Sequence, residues 1–100
     1  MAKKSSLSGT ILVIDTSYLL ELFGVPGYSD DKAIREIRKR HEKAIKDKAL
    51  LFVPLPCLFE LGNHIADVRD ETRRQSLANL LVQTIQTSIE KSTPWTIKNN

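Results

Sequence analysis

Asp15 directly follows four consecutive aliphatic residues, Ile11-Leu12-Val13-Ile14, and is followed by two hydroxyl side chains, Thr16 and Ser17. An apolar run of that kind predicts a strand buried on both faces, as in a parallel sheet. In open α/β sheets the functional crevice lies beyond the carboxyl ends of the strands, where Asp15 stands. A second carboxylate, Glu60, comes shortly after the next apolar run, Leu50 to Val53. Two acidic groups delivered by two strand ends would repel one another and raise each other's pKa. A hard divalent cation such as Mg²⁺ or Mn²⁺ relieves that conflict and takes oxygen ligands of this type, so Asp15 and Glu60 are the candidate metal ligands.

Weaker candidates surround the pair. Thr16 and Ser17 are helix caps first, with hydroxyls that could also line the rim of the site. Asn63, one turn past Glu60, is placed to hold its carboxylate or to orient a water, a supporting role. His64 shares an i,i+4 spacing with Glu60 but has no further nitrogen or sulfur ligands to join it, and reads as a polar-face histidine. Asp67 is the best accessory ligand among the remaining acids, most of which read as caps or surface charges. His41 falls on an apolar stripe and reads as a packing residue. The chain has no glycine-rich phosphate loop, nucleophile elbow or HExxH zinc motif.

The elements that must carry these residues follow from periodicity and caps. Met1 to Gly9 is small and polar, a flexible tail ahead of a domain spanning 10–100. Strand one covers about 10–15. Thr16 or Ser17 caps a short helix over Tyr18 to Phe23, Gly24 supplies its left-handed stop, and Pro26 prevents its continuation. Val25 to Ser29 is a loop. From Asp30 to about Lys48, Ile34, Ile37 and Ile45 form one helical stripe, and the basic residues opposite it read most simply as a solvated face, with phosphate tracking without aromatic interleaving as the alternative. Leu50 to Val53 is the second strand, and Pro56 suits the first turn of a helix over about 56–68. There Leu58, Leu61, Ile65 and Val68 share one side. A last helix follows Asp70, with capping-box spacing at Thr72 and Gln75 and a stripe of Leu77, Leu81, Ile85 and Ile89. Pro94 to Ile97 starts a third strand. The order β-α-α-β-α-α-β predicts a parallel sheet covered by helices on both faces.

Composition sets the bounds. One hundred residues, 41% hydrophobic and 27% charged, fit one small globular domain. A net charge of +3 is compatible with a nucleic-acid partner without requiring one. The single cysteine, Cys57, excludes an internal disulfide and a cysteine-based zinc site, and points to a reducing cytoplasm. No apolar stretch approaches the roughly 18 residues of a membrane span.

Two segments resemble a known family. Ile11-Leu12-Val13-Ile14-Asp15-Thr16-Ser17-Tyr18-Leu19-Leu20 is similar to the opening of a PIN domain. Phe52-Val53-Pro54-Leu55-Pro56-Cys57-Leu58-Phe59-Glu60-Leu61-Gly62-Asn63-His64-Ile65 resembles that family's second signature, an acidic residue with an Asn three positions on. The resemblance covers about residues 10–97. It implies a three-layer α/β/α fold and a metal-dependent endoribonuclease, many members being toxins of bacterial toxin–antitoxin pairs. Asp15 and Glu60 would match the first two acidic ligands of a Mg²⁺ or Mn²⁺ site, and Thr16 or Ser17 its hydroxyl. RNA is the implied substrate and an antitoxin protein an implied partner. The family's third and fourth acidic residues lie on later elements, and no acidic residue here follows Glu90, so the C-terminal strands are expected to be lacking. Strand one would then form an open edge, and self-association as a homodimer is expected through it. The alternative is a catalytically silent PIN-like binding module or truncated fragment. A receiver-like domain also ends its first strand with Asp, but lacks support here because no acidic pair precedes that strand.

Overall fold

The computed structural model describes residues 10–99; the expected tail over 1–9 lies outside them. The elements are β1 (Ile11–Val13), α1 (Thr16–Phe23), α2 (Asp31–Lys46), β2 (Leu50–Pro54), α3 (Leu55–Ala66), α4 (Glu71–Lys91) and β3 (Thr96–Lys98). Over the described residues the fold is α/β, with three parallel strands in the order β1-β2-β3 and four helices. Thr10 O accepts from Leu50 N and Phe52 O accepts from Ile14 N, extending the first ladder past both ends of β1.

Local chemistry starts and stops the helices. The Asp15 side chain accepts from Tyr18 N at 2.9 Å and caps α1, so the cap is the carboxylate rather than Thr16 or Ser17. Gly24 ends that helix at φ +65°, a conformation open to a residue without Cβ. Asp30 caps α2 through Ala33 N. Asp70, not Thr72, caps α4 through Arg73 N. In each case a short carboxylate stands one residue ahead of the helix, where it reaches a free first-turn N–H.

The core gathers the predicted stripes. Leu58, Leu61, Ile65 and Val68 are buried, together with Leu19, Leu20 and Phe23 of α1 and Leu77 and Leu81 of α4. Ile89, expected on the same stripe, is exposed: at about 100° per residue it lies about 120° around α4 from Leu77, and Ser88 takes the buried position in that turn. α1 packs on α2 and α3, α3 on β2 and α4, and α4 on β3.

The strands depart from expectation. β1 is not buried on both faces: Ile11 and Val13 are 58% and 69% exposed, and only Ile14, just past the strand, is fully covered. In β2 exposure alternates, with Leu51 and Val53 at 1% and 0% but Leu50 at 44%. The parallel register puts Ile11 beside Leu50, and Phe52 between Val13 and Thr96, so these residues share one sheet face. That face carries no helix layer among the described residues, and the expected covering of both faces is met on one. Strand order supplies the reason. Right-handed crossovers that fill a sheet in one direction place every connecting helix on the same side. Covering both sides requires the order to reverse.

Trp95 locks the last strand onto the helices. Its indole is 1% exposed and packs near Phe23, its Nε1–H donates to His41 Nε2 at 3.1 Å, and its backbone N–H donates to the buried Ser88 hydroxyl. His41 must be neutral at Nε2 to accept. Burial lowers its pKa, and Glu42 raises it by less. The folded pKa therefore lies below the ordinary value of about 6.5, and the unfolded chain binds more protons between the two. Stability is full above about pH 6.5 and falls as the pH drops from there toward the folded pKa. Thermal melts at pH 7.5 and 5.5 are expected to show a Tm loss on acidification that is smaller in His41→Gln, which keeps an acceptor but does not titrate. An equal loss in both proteins would remove His41 as its source.

Candidate functional site

Asp15 and Glu60 reach the surface at the carboxyl ends of β1 and β2. Asp15 stands two residues beyond β1, held by its cap to Tyr18 N. The cap occupies one oxygen, and a carboxylate with about four acceptor positions keeps capacity for another partner. Glu60 lies in the second turn of α3, exposed. Thr16 Oγ1 donates to Glu60 Oε1 at 2.5 Å, in the range of charge-assisted O–H···O⁻ bonds. This contact ties the first turn of α1 to α3 across 44 positions of chain. It brings the Glu60 carboxylate to the residue next to Asp15.

The other candidates diverge from that pair. Ser17 is exposed on the first turn of α1. Asn63 makes no hydrogen bond to Glu60 among the described residues. It lines an apolar groove of about 400 Å³ between α3 and α4, with Leu58, Phe59, Leu81 and Ile85. His64 turns toward the loop after α1, where the Tyr28 hydroxyl bonds Nδ1 at 2.6 Å and the rings meet edge to face. Asn63 and His64 flank the Glu60 direction by about 60° and 40° at about 100° per residue, enough to send each to a different neighbour. Asp67 forms the C-cap of α3, its N–H donating to His64 O. Among the described residues no three of His, Cys, Asp and Glu gather into one metal-sized group.

Several partners were not foreseeable from local sequence. Arg73 donates to Gly24 O and Arg38 to Leu22 O, so two guanidinium groups from α4 and α2 meet the carboxyl end of α1, where the helix dipole favours cations. Ser29 donates to Glu21. Tyr28 offered no signal beyond being an aromatic residue in a loop.

Electrostatically, this end presents two exposed carboxylates, Asp15 and Glu60, with the Thr16 hydroxyl bonded to the second. That donor set suits Mg²⁺, Mn²⁺ or Ca²⁺ and does not suit a soft metal. No helix of the described chain is long and apolar enough to cross a membrane. Comparison with protein-family models, with curated proteins and with solved structures finds no match for this chain.

Proposed function

We propose that this chain is a PIN-like metal-dependent endoribonuclease whose site is the Asp15–Glu60 pair. The hydrogen bond from Thr16 to Glu60 carries the reading, because it joins the two β-α units at the strand ends where both signatures place a carboxylate. Asp15 and Glu60 would supply the oxygen ligands to Mg²⁺ or Mn²⁺. Such an ion supplies charge stabilisation at a phosphodiester and a more acidic water. Thr16 fixes the Glu60 carboxylate, and the cap fixes Asp15, so neither ligand has to be ordered when the ion arrives. One or two carboxylates plus substrate phosphates is a ligand set that Mg²⁺ commonly uses. Binding of the ion is therefore weak in the free protein and tightens with RNA present.

A second reading, a catalytically silent PIN-like binding module, is favoured by the ligand count, since no third acidic group joins the pair among the described residues. Incubation with single-stranded RNA and Mn²⁺, with an EDTA control, separates the two. Cleavage that EDTA stops supports the nuclease; binding without cleavage supports the module.

The partners implied by the resemblance belong to the same proposal. In the three-layer PIN-like form the bare face would be covered. Here the uncharged β1 edge, with Ile11 and Val13 exposed beside it, would pair with a second copy. An antitoxin protein is the other partner the family implies. Light scattering is expected to show a dimer that Val13→Lys dissociates. A native chain that stays monomeric at high micromolar concentration removes the homodimer.

A further inference from the structure

Helix α2 concentrates the charge of the whole chain. It carries seven Lys or Arg against three Asp or Glu, a net of +4, where the full sequence carries +3. All seven cations are exposed. Their placement around the helix is ordered. Lys32, Arg35, Lys39, Lys43 and Lys46 are spaced 3, 4, 4 and 3 residues apart. At about 100° per residue they fall within an arc of about 80°, and at about 1.5 Å rise per residue they span about 21 Å. Asp31, Glu36 and Glu42 fall on the flanks of that arc, not within it. Arg38 lies off the stripe and is committed to Leu22 O. Lys43 pairs with Asp47 at 2.9 Å, an exposed ion pair that costs little to exchange for another anion.

The opposite side of α2 is occupied. Ile37 is buried, and His41 holds Trp95, so the basic stripe faces away from the protein body. We infer that this stripe is the track for the phosphodiester backbone of single-stranded RNA. A straight row of cations about 5–6 Å apart along a rigid helix complements a linear polyanion whose charges recur at regular intervals. A membrane surface fits it less well. Of the apolar residues that an interfacial helix would insert, Ile37 is buried against the body and Ile34 and Ala44 are half-buried, which leaves Ile45 alone exposed among them. The stripe carries no aromatic residue, so it would grip the backbone without stacking bases and without choosing a sequence. The inference rests on the ribonuclease reading for its substrate and adds to it the surface that holds the strand.

The test measures binding in EDTA, where the acidic pair has no ion and cleavage does not intervene. Fluorescence anisotropy of a short labelled oligouridine is followed against salt for the native chain and two triple variants. Arg35→Gln, Lys39→Gln and Lys46→Gln together strip the stripe. Arg69→Gln, Lys91→Gln and Lys98→Gln together remove the same charge elsewhere. The stripe variant is expected to bind roughly tenfold or more weaker at fixed salt, with a log–log salt slope shallower by about 2. The control variant should change affinity by less than about threefold, and both should melt as the native protein does. Equal losses in the two variants, or no loss in the first, overturn the inference. Displacement of the RNA by polyglutamate at matching charge concentration also overturns it, since the surface would then be a general acceptor of acidic chains. Because this assay holds no Mn²⁺, a retained stripe effect together with absent Mn²⁺ binding by the native chain in calorimetry would fail the metal site alone.

Discussion

Trp95→Ala is expected to lower stability by about 3–5 kcal/mol, the usual cost of emptying a large aromatic site. A domain of this size has roughly 5–15 kcal/mol in total, so the variant should be largely unfolded at moderate urea. The size of the effect follows from what one side chain joins. Its ring lies near Phe23 of α1 and near His41 of α2, while its backbone bonds Ser88 of α4 immediately ahead of β3. Removing it opens a cavity where three helices and the last strand meet. It also strips His41 of its donor. Trp95→Phe keeps most of the volume and loses only the Nε1–H, and should cost about 1–2 kcal/mol. Urea denaturation followed by circular dichroism measures both. A loss under about 1 kcal/mol in Trp95→Ala would mean that β3 contributes little to the fold.

Asp15→Asn separates chemistry from folding. Asn caps a helix about as well as Asp, so the Tm should move by no more than about two degrees, whereas Asp15→Ala should cost about 1 kcal/mol through the lost bond to Tyr18 N. On the proposed nuclease reading the charge serves the ion instead. Removing one of the two proposed anionic ligands is then expected to reduce RNA cleavage by roughly 100-fold, equivalent to about 3 kcal/mol of transition-state stabilisation. Glu60→Gln should match it, because its amide oxygen still accepts from Thr16 while the charge is gone. Calorimetry with Mn²⁺ should show binding in the native chain and none in either variant. Unchanged Mn²⁺ binding in both, with the fold intact, removes the proposed site.

Much of the frame around the site was legible because it depends on short stretches of chain. The glycine at 24 and the spacing Leu58, Leu61, Ile65 and Val68 each act within one or two turns, and each adopts the predicted role, while the cap expected of Thr16 or Ser17 falls to Asp15. The convergence of residues 16 and 60 was legible only indirectly, through two β-α units expected to lie side by side in one parallel sheet. Asn63 and His64 were misdirected for a plain reason. A few tens of degrees around α3 decide whether a side chain meets α1, the Tyr28 loop or α4, and the neighbours of α3 are not written in its own residues.

What the sequence alone determined is the order of elements, the caps in outline and the apolar stripes, since periodicity and hydrogen-bond capacity are properties of neighbouring residues. The tertiary structure decided which sheet face is covered and that Trp95, His41, Arg73 and Gly24 find partners across about 50 positions of chain. Those outcomes depend on strand order and on the direction of each crossover. A three-residue aliphatic strand is written with the same letters whether it ends at the centre of a sheet or, as here, at its edge.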